Sequence, residues 1–241
     1  MRVPAGCPWN GGPRPAERGR AAGYYRGMPA WIDISLPIGP AEIAWSGLPP
    51  SRLSLLAAIA EGAAVTVGQL DCCTHTGTHA DAPWHVDLGG KTIDRMDAGL
   101  YVGPATILRI ASPQAIDRAE LEELLGGDVK RGDPRIERLL IATPRPYDGK
   151  RFPSRVPALA PEAAAWLAWA GTRLVGVDQP SLDPLEAKDL ASHRLLFAAG
   201  AGILENLDLS QVEPGAYELI AAPLRLIGGD AAPVRALVRR R

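Results

Sequence analysis

Three of the four histidines in this 241-residue chain lie within eleven residues, in the segment HTGTHADAPWH that runs from His75 to His85. His75 and His79 have the i, i+4 spacing of a helical zinc motif. A helix is nevertheless disfavoured, because Gly77 lies between two β-branched threonines and Pro83 follows closely. The segment is therefore predicted to be extended, with bends at the glycine and the proline.

In an extended segment, alternate side chains lie on the same side of the chain. Four potential metal ligands share odd positions: His75, His79, Asp81 and His85. Imidazole and carboxylate groups suit a borderline cation such as zinc, and a catalytic zinc needs three protein ligands and a water molecule, whose pKa it lowers towards neutrality. The alternative is that each histidine only forms hydrogen bonds within a turn. Four such residues in eleven favour a metal site.

Bulk composition excludes several other functions. A formal net charge of −1 gives no reason to expect nucleic acid or an anionic membrane as a partner. No apolar run approaches the roughly 20 residues needed to cross a bilayer, and no signal-peptide pattern follows the N-terminal arginines. Three cysteines, two of them adjacent, fit a reducing compartment, so a cytoplasmic location is expected. Neither a G-x-S-x-G elbow nor a glycine-rich phosphate loop occurs, which disfavours an α/β-hydrolase and a nucleotide cofactor.

The chain has two regions of different composition. Residues 1–27 are rich in Gly, Pro and Arg without helical or strand periodicity, and we predict a disordered extension, with translation starting at Met28 as an alternative. Residues 28–241 alternate strand and helix patterns and are predicted to form one mixed α/β domain. Helices are predicted at residues 117–125 and 161–169. Strands are predicted at residues 64–70, 105–110, 138–142, 173–177, 201–204 and 217–221.

The segment HTGTHADAPWH resembles the signature of the cyclase family of metal-dependent hydrolases, which includes bacterial kynurenine formamidases and isatin hydrolases. A second segment, LVGVDQPSLDPLEAKDLASHRLLFAAGAGILENL at residues 174–207, contains His193 and, twelve residues later, Glu205. In kynurenine formamidases a His and a Glu at this spacing complete a second zinc site. The segments DISLPIGPAEIAW (33–45) and PGAYELIAAPLRL (214–226) also resemble that subfamily, so the resemblance spans about residues 28–241.

This resemblance implies an α/β fold of the swivelling β/β/α type and two Zn²⁺ ions per subunit, although Mn²⁺ or Co²⁺ could occupy the same ligands. One ion would be held by His75, His79 and Asp81. Asp81 would also bridge to a second ion, held by His193 and Glu205.

The activity implied is the hydrolysis of N-formyl-L-kynurenine to L-kynurenine and formate, a step of tryptophan breakdown, by a homodimer. His85 would be the catalytic histidine that passes a proton to the aniline leaving group. Trp45 would pack against the aromatic ring of the substrate. An isatin hydrolase-like enzyme, or another hydrolase of small aromatic amides, is an alternative with the same ligands. A non-catalytic metal-binding protein is a further alternative, disfavoured because structural zinc sites usually have four ligands rich in cysteine.

Several of these residues also have simpler interpretations. Trp45 could belong to an ordinary core, and Glu205 could be a surface residue at a strand end. Cys72 and Cys73 are expected to pack in the core on a buried strand rather than to bind metal. Asp183, in the turn VDQPSLDP, is expected to brace the site rather than to catalyse.

Overall fold

The computed structural model describes residues 30–39, 45 and 47–241. The predicted extension at residues 1–27 and the alternative start at Met28 lie outside the described residues. All elements named below belong to the described part of the chain, and no helix in it is both long and apolar enough to cross a membrane.

Thirteen β-strands occur in the described residues. In chain order they are β1 (Ile32–Asp33), β2 (Arg52–Ala57), β3 (Val67–Asp71), β4 (His79–Asp81), β5 (Val102–Arg109), β6 (Ala115–Ile116), β7 (Arg138–Ala142), β8 (Ala158–Leu159), β9 (Leu174–Val177), β10 (Gly202–Glu205), β11 (Gly215–Ile220), β12 (Ala231–Pro233) and β13 (Leu237–Arg240).

Nine of these strands form one sheet in the order β1-β13-β11-β5-β7-β9-β10-β4-β12. Its central strands β5, β7, β9 and β10 are parallel, and the strands on both sides of them are antiparallel. Strands β2 and β3 form a separate hairpin, and β6 and β8 form a second small sheet. The short strand β4 therefore lies between β10 and β12, near one edge of the large sheet.

Three α-helices occur in the described residues: α1 (Arg118–Leu124), α2 (Pro161–Ala170) and α3 (Ala191–Ala198). Asp117 caps α1 by accepting a hydrogen bond from the Glu120 amide at 2.9 Å. Helix α2 begins with a proline and ends at Gly171, whose φ of 91° is the left-handed conformation that glycine adopts most easily. Short 3₁₀ helices connect other elements at Ile59–Glu61, Pro83–His85, Ile93–Arg95, Ala98–Tyr101 and Pro134–Ile136.

The large sheet is covered on both faces, so the sequences of its central strands are nearly continuous runs of apolar residues. All five residues of β7 are buried. Leu139 and Ile141 face a core formed with α1, α2 and α3, whereas Leu140 and Ala142 face a second core beneath β1, β11 and β13. The sheet with its helices on one face confirms the predicted mixed α/β fold.

The sequence predictions agree with most of this architecture. The strand predicted at residues 138–142 is β7 itself, and the helix predicted at 161–169 is α2, which ends one residue later. Helix α3 was not predicted, because the residue before it, Leu190, provides no side-chain cap and has a positive φ of 45°. Its first turn is capped instead by Asp183, nine residues before Ser192 in the loop that leads into the helix, outside the usual spacing of a cap.

Two local predictions need correction. The predicted bends at Gly77 and Pro83 are present, but the segment from His75 to His85 is extended only in β4, with a turn before it and a 3₁₀ helix after it. The prediction that the cysteines lie on a buried strand was wrong. All five residues of β3 are exposed, and Cys72 and Cys73 are half-buried.

Candidate metal centre and active site

Strand β4 presents two of the predicted ligands on one face of the sheet. Ala80, in the middle of the strand, points into the core beneath β1 and β11. Because side chains alternate along a strand, His79 and Asp81 point to the opposite face, towards α3. Both side chains are almost completely buried, with 1% exposure. His79 Nε2 lies 3.4 Å from Asp81 Oδ1.

Strand β10 and helix α3 supply two further ligands to this face. Glu205 is the cross-strand partner of His79, and Ile203, on the same face of β10, belongs to the core against α3. His193, in the first turn of α3, places Nε2 at 3.2 Å from Glu205 Oε1 and 3.4 Å from Asp81 Oδ2. Glu205 is buried, so its interpretation as a surface residue is wrong.

His75 and His85 reach the same centre from the segments before and after β4. Gly77, with a φ of 59°, reverses the chain between His75 and the strand. His75 Nδ1 then lies 3.0 Å from Asp81 Oδ1. His85 ends the 3₁₀ helix that begins at Pro83, and its ring centroid is 4.3 Å from that of His75. The His85 side chain is more exposed than the other three imidazoles, at 31%.

The imidazoles are held in position by acceptors behind them. His79 Nδ1 contacts the Gly77 carbonyl oxygen at 2.9 Å, and the same oxygen accepts a hydrogen bond from the Asn206 amide. His193 Nδ1 contacts Asp183 Oδ2 at 2.6 Å. Asp183 also accepts from the backbone amides of Ser192 and His193, and thereby caps α3. Such outer partners fix the ring orientation and leave each Nε2 free to face the centre.

Asp230 is a member of the cluster that sequence reasoning missed. It immediately precedes β12, the strand that pairs with β4 on its other side. Its Oδ2 lies 3.1 Å from His75 Nε2 and 3.8 Å from His85 Nδ1. No spacing rule connects it to the histidine segment, because 155 positions separate it from His75.

The carboxylates raise the pKa of the buried histidines. Burial opposes the charged form of His75, yet the charge and close contact of Asp81 and the hydrogen bond to Asp230 raise the pKa of His75 to about 11. His79 is also buried, and Asp81 with Glu205 raises its pKa to about 9. Burial alone would raise the pKa of Asp81, but the neighbouring histidines hold it well below its usual range. The cluster is thus strongly attractive to positive charge.

The donor set fits a metal ion. Both Asp81 oxygens and His79 Nε2 are buried without a hydrogen bond of suitable geometry among the described residues. Asp81 Oδ1 lies 3.0 Å from His75 Nδ1 and 3.4 Å from His79 Nε2, which is 3.5 Å from Glu205 Oε2. An unsatisfied buried polar atom costs about 1–3 kcal/mol, and a cation at this point would satisfy all three. Ligand atoms within 4.8 Å of one another form three groups: His75, His79 and Asp81; Asp81, His193 and Glu205; and His75, His85 and Asp230.

A cavity of about 380 Å³ opens onto this cluster. His75, His85, His193 and Glu205 line it together with Trp45, Leu48, Pro180, Ser181, Pro184, Leu185, Ala187 and Leu190. This volume and this largely apolar lining are typical of small-molecule sites. The Trp45 ring packs at 4.8 Å, centroid to centroid, against Phe152. Trp45 is therefore part of the cavity wall, and Phe152 is a second aromatic residue that the sequence did not single out.

The predicted site residues are all brought together around one cavity. His75, His79, Asp81, His193 and Glu205 form the two predicted ligand groups, which share Asp81. His85 and Trp45 border the same cavity. Their roles as ligands, catalyst and substrate contact remain predictions, which this arrangement supports.

The chain is similar to one family along most of its length. A sequence model of the Cyclase family matches residues 32–184. Kynurenine formamidase from Bacillus cytotoxicus is 41% identical over 210 residues, which are 87% of this chain and 97% of that protein.

Solved structures show a similar fold. A protein described as a predicted metal-dependent hydrolase from Bacillus stearothermophilus is 30% identical, with a TM-score of 0.73, over 88% of this chain and 98% of the other. Isatin hydrolase A from Labrenzia aggregata, at 21% identity and a TM-score of 0.70, covers 88% of this chain and 93% of its own. The latter likeness extends to the fold alone.

Proposed function

The chain belongs to the Cyclase family, and on that premise we propose that this hydrolase converts N-formyl-L-kynurenine to L-kynurenine and formate. The observation that carries the proposal is a cavity lined both by members of the histidine–carboxylate cluster and by Trp45. The cluster suits hydrolysis of an amide, and Trp45 suits an aromatic substrate.

The enzyme is proposed to use two Zn²⁺ ions per subunit. His75, His79 and Asp81 would hold one ion, and Asp81, His193 and Glu205 the other. When bound, the metal lowers the pKa of a water molecule and acts as a Lewis acid towards the formyl oxygen. Ligands of the imidazole and carboxylate types also accept Mn²⁺ and Co²⁺, so metal analysis must identify the ion.

His85 is proposed to carry the proton. It borders the cavity, is the most exposed histidine, and lies outside the two groups that share Asp81. Water adds its oxygen to the formyl carbon and gives up a proton to His85. The bond between the formyl carbon and the aniline nitrogen then breaks, and His85 donates the proton to that nitrogen, because an anilide anion is a poor leaving group.

Trp45 is proposed to hold the aromatic ring of the substrate. Phe152 packs against it from behind, and Tyr147 packs in turn against Phe152 at 5.9 Å. A braced indole loses little conformational entropy when it stacks on a second ring. The scissile amide, attached to that ring, is thereby kept beside His85.

The test combines metal analysis with substrate comparison. The purified protein should contain about two metal ions per chain and hydrolyse N-formyl-L-kynurenine, lose activity to a chelator and regain it with Zn²⁺. Isatin, assayed in parallel, tests the alternative that the substrate is a cyclic amide. Metal binding with turnover of isatin but not of N-formyl-L-kynurenine would reject the proposed substrate and retain the metal hydrolase.

We also propose that the enzyme is a cytoplasmic homodimer. Support for the dimer comes from the hairpin of β2 and β3, where Leu53, Leu56, Val67 and Leu70 are each at least 40% exposed. A two-stranded hairpin is only marginally stable alone in water, and exposed apolar surface of this kind is typical of an interface. The odd cysteine count supports a reducing location.

A further inference from the structure

Asp230 contacts two histidines with different proposed tasks. Its Oδ2 atom lies 3.1 Å from Nε2 of His75, a proposed metal ligand, and 3.8 Å from Nδ1 of His85, the proposed proton carrier. The two imidazole rings are themselves in contact, with centroids 4.3 Å apart. One carboxylate oxygen is therefore the common neighbour of both rings.

The backbone and one side chain hold Asp230 in this place. Its carbonyl oxygen accepts a hydrogen bond from the Ala82 amide at 2.9 Å, next to the end of β4. Thr74 Oγ1 donates to the other carboxylate oxygen, Oδ1, at 2.8 Å. Because Oδ1 is already engaged, Oδ2 is the oxygen directed at the histidines.

The contact with His75 completes a pattern seen at the other proposed ligands. His79 and His193 each present Nε2 to the centre and use Nδ1 to contact an oxygen behind them. His75 presents Nδ1 to Asp81 and uses Nε2 to contact Asp230. A carboxylate in this outer position fixes the tautomer of the ligand and makes it a stronger donor to the metal.

The contact with His85 is longer, and it suits a proton carrier. Hydrogen bonds of catalytic groups are often long before the substrate complex forms and shorten within it. A carboxylate at Nδ1 fixes the orientation and tautomer of the ring, and leaves Nε2 available for proton transfer.

We propose that Asp230 is a positioning residue that orients both His75 for metal binding and His85 for proton transfer. The role of Asp230 in orienting His85 rests on the proposed function. Its role in orienting His75 rests on the geometry of the cluster alone. Asp230 acts through the two histidines and not as a ligand, although a group of His75, His85 and Asp230 could in principle hold an ion.

Asp230→Asn is the first variant, and Asp183→Asn is its matched control. Asp183 contacts His193 in the same way but is not among the contacts of His85. Zinc affinity is measured by competition with a chromogenic chelator. The kcat and KM for N-formyl-L-kynurenine are measured separately, at saturating Zn²⁺. Both variants should bind zinc about 10–100-fold more weakly. At saturating Zn²⁺, Asp230→Asn should lower kcat about 10-fold more than Asp183→Asn does, with KM little changed.

Thr74 gives a milder second test that keeps the carboxylate. Thr74→Val removes the hydroxyl that holds Asp230 and should reproduce part of the kcat loss, whereas Thr74→Ser should restore it. Equal kcat losses in Asp230→Asn and Asp183→Asn, or wild-type kcat and zinc affinity in Asp230→Asn, would overturn the positioning role. Loss of one whole equivalent of bound zinc at saturation would instead make Asp230 a ligand, and would also overturn it.

The readouts separate this inference from the proposed function. A metal-loaded wild-type protein that leaves N-formyl-L-kynurenine intact would reject the proposed substrate. The zinc affinities of the same variants would still decide whether Asp230 supports His75.

Discussion

At the scale of single residues, position within the cluster separates the four histidines. His79 and His193 are almost completely buried and are flanked by carboxylates. His85 borders the cavity, and among the described residues Asp230, at 3.8 Å, is the one carboxylate with which it forms an ion pair. A buried imidazole among carboxylates suits a ligand, and an accessible one suits proton transfer.

Replacing His85 should therefore separate chemistry from metal binding. His85→Ala is expected to lower kcat by about 10²–10⁴-fold, the usual contribution of a general acid–base group, with metal content unchanged. Elemental analysis and steady-state kinetics on one preparation measure both quantities. Full activity in His85→Ala would show that another group moves the proton.

Asp178 makes the stability of the protein depend on pH. It is completely buried after β9 and accepts a hydrogen bond from the Thr143 amide at 2.9 Å. Burial raises the pKa of Asp178 from 3.8 to about 6. Because the folded pKa lies above the unfolded one, the folded state holds the proton more tightly, and this contribution is complete below about pH 4 and is lost as the pH rises through 6.

Asp178→Asn should remove this dependence. The free energy of unfolding, measured with urea, should fall less between pH 4 and 6 in the variant than in the wild type, by on the order of 2 kcal/mol. Parallel curves for the two proteins would show that Asp178 is not protonated over this range.

At the scale of elements, the β2–β3 hairpin stands apart, because none of its residues belongs to either of the two hydrophobic cores. Leu53 and Leu70 are cross-strand partners, and both are exposed, at 40% and 52%. Every residue of β3 is exposed, so neither face of this strand is covered by the described residues. Contact with a second copy would cover such a hairpin.

Charges on the hairpin should consequently break the proposed dimer. Leu53→Glu with Leu70→Glu is expected to shift the protein from dimer to monomer in sedimentation velocity, because the carboxylates would have to be buried in the interface. Leu124→Glu on α1, at a position of similar exposure (43%), is the matched control and should leave the association state unchanged. A wild-type monomer would contradict the proposal directly.

At the scale of the whole molecule, the proposed ligands connect distant parts of the chain. His79 and Asp81 lie on β4, His193 on α3 and Glu205 on β10, and β4 joins β10 through antiparallel pairing. A metal at their centre would bind the folded state only, since the unfolded chain does not bring these residues together. Metal binding and folding are thus linked.

Removing the metal should lower the melting temperature. A ligand at 1,000 times its Kd stabilises the folded state by about 4 kcal/mol, which corresponds to a shift on the order of 10 °C in a chain of this length. Calorimetry before and after chelation measures the shift. Asp81→Asn, which alters the shared ligand, should melt at the same temperature in both conditions, and an equal shift in this variant would place the stabilising metal elsewhere.

Elements formed by interactions between neighbouring residues could be predicted from the sequence, and those that depend on residues farther apart could not. Helix α2 was predicted almost to the residue because its proline start, apolar body and glycine end are local signals. Helix α3 was missed because its cap, Asp183, lies nine residues before Ser192 in the preceding loop and not next to the first turn. The exposure of β3 was also missed, because an apolar strand pattern does not reveal whether anything covers it.

The histidine segment by itself determined the chemistry of the site, since donors that suit a metal lie within eleven residues, and the family motif added His193 and Glu205. Only the tertiary structure decided which ring nitrogen faces the centre and which carboxylates stand behind the rings. Asp230 reaches His75 from 155 positions away because β12 pairs with β4, and strand pairing is a long-range contact that no local pattern encodes.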